Sequence, residues 1–273
     1  MSLNIGILES SRIASSGGGV DADAQAFFDR ITTAGGTLTT TEKNAVNTFV
    51  VSMKSNSLWS LMKVIYPMVG SSSAACSQNL RSNIFTGTFN AGWTFSSTGV
   101  IGNGTSSFLN TNFNNQSNWT STSNASMGFV SSTNQTGGTI CDMGVGGNLL
   151  SGSNSSTIYS SYSGTFYSGM NCTSVAPGAI NSSTIGFFVT TRLSSTQYSS
   201  YKRGSSIINI TNTDAIGTNP NNSIYLSAGN QPPNAALFAA KRYNFCFMGD
   251  GLTQVQVDTF YSIIQTLNTT LGR

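Results

Sequence analysis

Arg242-Tyr-Asn-Phe-Cys-Phe-Met248 is the stretch that decides the fold. It holds no glycine or proline. Strand periodicity places Tyr243, Phe245 and Phe247 on one face and Asn244, Cys246 and Met248 on the other, so both faces are expected to be covered. Working back to Ser82, the chain is poor in charge and rich in Ser, Thr, Asn and Gly, and between Ser82 and Thr191 the only charged side chain is Asp142. Short apolar runs punctuate this polar background. Ile84-Phe85, Thr88-Phe89, Trp93-Thr-Phe95, Phe108-Leu109 and Met127–Val130 come first, with turn signals at Asn103-Gly104 and Gly137-Gly138. Thr139–Met143, Thr157–Tyr162, Thr165–Met170, Ile185–Arg192, Gln197–Lys202, Ser205–Ile210 and Ile224–Ala228 follow. Roughly ten short strands, separated by turn residues, specify a mainly β fold with two antiparallel sheets in a jelly-roll sandwich.

The segments outside this region change period. Ala24, Phe27, Phe28 and Ile31 recur at helical spacing, with Asp21 as N-cap and Gly35 as stop. Thr39 and Glu42 form a capping box for a second helix with Ala45, Val46, Phe49, Val50 and Met53 on one face. Asn56 ends it. Ser57 is expected to cap a third helix presenting Leu58, Leu61, Met62 and Ile65, closed by Pro67. After Gly249-Asp250-Gly251, Thr253 and Gln256 form another capping box, and Val257, Phe260, Tyr261, Ile264, Leu267 and Leu271 line a terminal amphipathic helix that must dock. The first 20 residues combine Ile5, Ile7, Leu8 and Ile13 with a Gly17–Gly19 run, the pattern of an apolar anchor on a loose joint. The organisation expected is therefore an anchor over 1–20, a helical segment over 21–70, and a sandwich with its C-terminal helix over 71–273.

Composition narrows the function. The 273 residues carry 12 basic and 9 acidic side chains, a formal charge of +3, scattered singly apart from Lys202-Arg203 and Lys241-Arg242, which are expected to be solvated turns. That is no basic stripe for nucleic acid. No run approaches the roughly 18 apolar residues of a membrane span. Cys76, Cys141, Cys172 and Cys246 lack paired spacing and the chain has no histidine, which argues against zinc and removes Ser-His and Cys-His nucleophiles. Cys141 and Cys246 lie in apolar runs and read as buried free thiols. A glycosidase needs two carboxylates facing one bond, but Glu9 and Glu42 fall outside the sandwich, while Asp214 and Asp250 read as turn formers. No catalytic set, metal site or cofactor is expected.

The helical preface, Asp21-Ala-Asp-Ala-Gln-Ala-Phe27, Gly36-Thr-Leu-Thr39, Lys43-Asn-Ala45, Leu58-Trp59 and Ile65-Tyr-Pro67, resembles that of a group of bacteriophage virion proteins in which it leads into a concanavalin A-like (LamG-like) jelly roll. Phe89-Asn-Ala-Gly-Trp93, Gly102-Asn-Gly-Thr105, Gly249-Asp-Gly-Leu-Thr253 and Leu271-Gly-Arg273 resemble that domain's opening and closing segments. The resemblance implies a fibre, spike or decoration protein, assembled in the host cytoplasm and located in the virion, with other virion proteins as partners. It also implies a lectin-like domain for host-surface polysaccharide, with homo-oligomerisation expected. On that reading Ile5, Ile7, Leu8 and Ile13 anchor the chain, and loop aromatics at Trp119, Tyr159, Tyr162 and Tyr167 stack on sugar. A stand-alone glycan-binding module is the alternative, with a glycoside hydrolase third.

Overall fold

The computed structural model describes residues 19–148 and 153–273, so the expected anchor residues Ile5, Ile7, Leu8 and Ile13 lie outside the described residues. The helices are α1 (Ala22–Thr33), α2 (Thr40–Ser55), the short α3 (Ser73–Cys76) and α4 (Gln254–Thr270). The strands, in chain order, are β1 (Met62–Tyr66), β2 (Thr88–Phe89), β3 (Thr94–Ser96), β4 (Gly99–Ile101), β5 (Leu109–Asn114), β6 (Ala125–Ser131), β7 (Met143–Asn148), β8 (Ser153–Tyr162), β9 (Thr165–Cys172), β10 (Ala176–Ile180), β11 (Gly186–Arg192), β12 (Gln197–Arg203), β13 (Ile208–Thr213), β14 (Ser223–Leu226), β15 (Gly229–Gln231), β16 (Asn234–Ala236) and β17 (Arg242–Gly249).

They form a mainly β jelly-roll sandwich. Sheet A runs β13-β12-β11-β6-β17-β4-β3 and sheet B runs β10-β9-β8-β7-β14-β5-β2, with β15 and β16 attached beside β7. The far edge of β17 is shared: β4 pairs with its first residues and β1 with its last. Two cores result. One lies between the sheets and holds Phe113, Phe129, Phe166, Phe188, Tyr243 and Met248. The other lies between sheet A and α1, α2 and α4, where Phe27, Phe49, Phe187, Phe245, Phe247 and Phe260 meet.

The decisive strand is buried on both faces, with one correction to its period. The pairing of β17 with β6 shifts register between Tyr243 and Phe245. This β-bulge at Asn244 lets Tyr243 join Cys246 and Met248 between the sheets, while Phe245 and Phe247 face the helices. The Asn244 amide donates to Thr98 O at 2.9 Å, satisfying a carbonyl that regular pairing would not reach. Beside it, Gly128 of β6 admits the Phe247 ring, since a Cβ there would lie 2.6 Å from ring carbon Cε1.

Both capping boxes form, and the Asp21 side chain accepts from Asp23 N. The apolar stripe of α4 docks on sheet A, and its larger buried side chains each contribute about 1.5–3 kcal/mol by leaving water. Arg203 of β12 reaches Asp258 of α4 in a partly buried ion pair that fixes the helix along the sheet. The expected third helix is replaced. Only a single 3-10 turn, Trp59–Leu61, precedes β1, because Val64-Ile65-Tyr66 finds a free strand edge at β17 and buries both faces there. Residues 21–70 thus share a core with α4 and lend a strand to sheet A.

The basic pairs also differ from expectation. Arg192, Lys202, Arg203 and Lys241 are all buried, leaving Arg242 half-buried. Loops closing the ends of the sandwich turn backbone carbonyls inward, and these cations supply donors. Arg192 donates to Met170 O (2.7 Å) and Asp214 O (3.0 Å) at one end. At the other, Lys202 donates to Asn181 Oδ1, Ser183 O and Ser206 Oγ at 2.6–2.7 Å.

Candidate functional site

Sheet A is covered by helices, so the free face for a ligand is the outer side of sheet B. In β9, Phe166, Ser168 and Met170 point inward, leaving Tyr167 outward. In β14, Ile224 and Leu226 point inward and leave Tyr225 outward by the same alternation. Tyr159 of β8 sits directly opposite Tyr167 in register, and a shift between Tyr159 and Tyr162 brings the Tyr162 ring onto this face as well.

The three tyrosines form one cluster. Tyr162 meets Tyr167 edge-on at 5.4 Å and 84°, and Tyr159 lies 6.4 Å from Tyr162 at 60°. Cys141, Val175 and Leu237 pack around them, and the Cys141 N–H donates to Leu237 O at 2.7 Å. Tyr162 and Tyr167 are half-buried, so each ring is held by packing yet still meets solvent. Tyr159 is fully buried, and burial pushes its phenol far above its ordinary value, with Cys141 adding to the effect. It supports the other two and is not a contact surface.

The expected loop aromatics are therefore corrected in two places. Trp119 is 7% exposed, packed edge-on against Phe113 at 4.5 Å, with its indole N–H donated to Asn115 Oδ1 at 3.1 Å. It is a core residue, as is Tyr159. Tyr159 and Tyr167 also lie within strands and Tyr162 closes one, so the platform is on the sheet and not in loops. A second aromatic pair, Phe108 stacked on Tyr225 at 4.4 Å and 13°, was not anticipated. Three strand spacings separate β9 from β14, about 14 Å at ~4.8 Å each. The signal was available: Tyr225 alternates with two aliphatic residues in Ser-Ile-Tyr-Leu.

The charges nearest the tyrosine cluster, Asp142 and Lys241, act on Cys141 in opposite directions. The sandwich carboxylates are occupied elsewhere. Asp142 is buried in an ion pair with Lys241. Asp214 accepts from Thr173 N and Oγ1, tying together segments 41 residues apart where a local turn was expected, and Asp250 accepts from Thr120. All four cysteines are free and buried. A depression of about 340 Å³ lies between sheet A and α4, lined in part by Asn244, Tyr261, Asn268 and Arg273. The Arg273 guanidinium is committed to Pro67 O, Met68 O and Asn268 Oδ1, so this feature is a seam between layers.

No protein-family model matches the chain, and no curated protein aligns with it significantly. Among solved structures, the chain is similar to domain 4 of AbnA, a GH43 extracellular arabinanase from Geobacillus stearothermophilus in complex with arabinotriose. That match has 14% identity and a TM-score of 0.48, covering 73% of this chain and 98% of that one. The CBM40 of the Ruminococcus gnavus IT-sialidase bound to α2,3 sialyllactose is similar at 10% identity and a TM-score of 0.36, covering 52% of this chain and 80% of that one.

Proposed function

We propose that this chain is a non-catalytic glycan-binding module whose contact surface is the outer face of sheet B. The observation that carries this is the pair Tyr162 and Tyr167, held by Tyr159 on a rigid sheet with both rings reaching solvent. Aromatic faces stack on the apolar faces of sugar rings at small entropic cost when already fixed. The charges beside the cluster, Asp142 and Lys241, are paired with each other and buried, which favours a neutral polysaccharide, and the distance to Phe108–Tyr225 suits an extended chain over a single sugar.

The resemblance of the preface and closing segments to phage virion proteins supplies a setting: a virion component, homo-oligomeric and anchored through Ile5, Ile7, Leu8 and Ile13 to other virion proteins, displaying this face to host polysaccharide. Affinity electrophoresis against a panel of neutral and acidic polysaccharides tests the binding role. Retardation by a neutral polysaccharide, weakened tenfold or more in Tyr162→Ala and Tyr167→Ala, is expected; undiminished retardation in the double variant would refute the site. Mass spectrometry of purified particles tests the setting, and absence of the chain would favour the stand-alone module.

A further inference from the structure

Among the described residues, one ion pair has both side chains fully buried: Lys241, just before β17 of sheet A, and Asp142, just before β7 of sheet B. Lys241 Nζ lies 2.7 Å from Asp142 Oδ1. The Ser160 hydroxyl bridges the pair, accepting from Nζ at 2.6 Å and donating to Oδ2 at 2.7 Å. Ser160 N–H donates to Oδ2 at 2.8 Å, and the Tyr243 hydroxyl donates to Oδ1 at 3.0 Å. Nucleophile, electrophile and a hydroxyl joining the amine to the opposite carboxylate oxygen are thus held together away from water.

We propose that Lys241 and Asp142 condense into an intramolecular amide that covalently joins the two sheets. Isolating two charges from water is costly, and passage of one proton from Nζ to Oδ2 through the Ser160 hydroxyl removes both. The freed amine lone pair attacks Cγ and forms the N–C bond. Oδ1 gains negative charge in the addition, facing the Tyr243 hydroxyl, a fixed donor of the kind that stabilises an oxyanion. A second proton moves from nitrogen through Ser160 to Oδ2, the Cγ–Oδ2 bond breaks, and one water leaves. No oxidant, reductant or co-reactant is needed. The product keeps its partners: the remaining N–H faces Ser160 Oγ and the carbonyl faces Tyr243, while no charge remains buried.

The test is the intact mass of the purified full chain, compared with a Lys241→Met variant as the reference for any end processing. The native chain should weigh less than its sequence by one water, and digestion should yield a branched peptide containing both residues. Asp142→Asn should lose one ammonia in place of water. Ser160→Ala, refolded from denaturant, should cross-link at least tenfold more slowly, a change in rate that a purely packing role would not produce. A native chain at full sequence mass after prolonged incubation, with Lys241 and Asp142 recovered in separate unmodified peptides, would overturn the proposal.

Discussion

Replacing Phe260 by alanine should unlock the helical layer from the sandwich. Its ring is fully buried and sits 4.9 Å from Phe247, 5.7 Å from Phe187, 5.8 Å from Phe245 and 6.4 Å from Phe49, so it touches β11, β17 and α2 at once. Truncating a buried phenylalanine costs about 3–5 kcal/mol, the loss of transfer energy plus an unfilled cavity. Here three of the four surrounding rings stand on β11 and β17, which sheet pairing holds in place, so little collapse is available and a loss of about 4–5 kcal/mol is expected. For a chain of this size each kcal/mol lowers the melting temperature by about 2–4 °C, giving a fall of roughly 8–20 °C. Urea unfolding followed by far-UV circular dichroism and tryptophan emission is the assay. Trp59 reports the helical core and Trp119 the inter-sheet core. Val255→Ala, on the same helix but 74% exposed, is the control and should stay within about 0.5 kcal/mol. A Phe260→Ala loss below about 1.5 kcal/mol at unchanged m would show that this five-ring cluster does not hold the layers together.

The remaining predictions concern protonation and capping. Burial pushes the Cys76 thiol up to about 12 and Cys172 to about 11, and raises Cys141 and Cys246 as well. Folded values above the unfolded one mean stability that is complete below the ordinary thiol range and lost as pH rises toward these values. The slope is up to about 1.4 kcal/mol per pH unit for each thiol. Urea midpoints measured between neutral and strongly alkaline pH should fall, and a flat profile would contradict this. Thr253→Ala removes one side of the α4 capping box and should cost about 1 kcal/mol, measured by the same unfolding assay.

Much of the layout was legible because helices and caps leave local signals. Ala24, Phe27, Phe28 and Ile31 announce α1 through spacing alone, and the two capping boxes mark their helices to the residue. What was not legible depends on partners distant in sequence. Leu58 to Ile65 carries a helical stripe and a β-branched pair, and the free edge of β17 decides between them. Trp119 and Tyr162 look alike in a polar sequence; packing of the β5–β6 loop on Phe113 turns one inward, and a register shift in β8 turns the other outward. The lone Asp142 offered a usable hint, since a charge within apolar strands requires a partner, but nothing local identifies Lys241, 99 residues away, as that partner.

The burial of the sandwich's cations also governs how the protein reacts with reagents. Of its lysines, Lys202 and Lys241 are enclosed, so among the described residues amine-directed chemistry finds Lys43 and Lys54 on α2 and Lys63 on β1. All three lie within residues 21–70, and none on a strand of sheet B. Coupling through these lysines to a chip or bead grips the protein by that segment and leaves the strands of sheet B unattached. Lysine-directed attachment among the described residues therefore leaves the tyrosine face clear of the support.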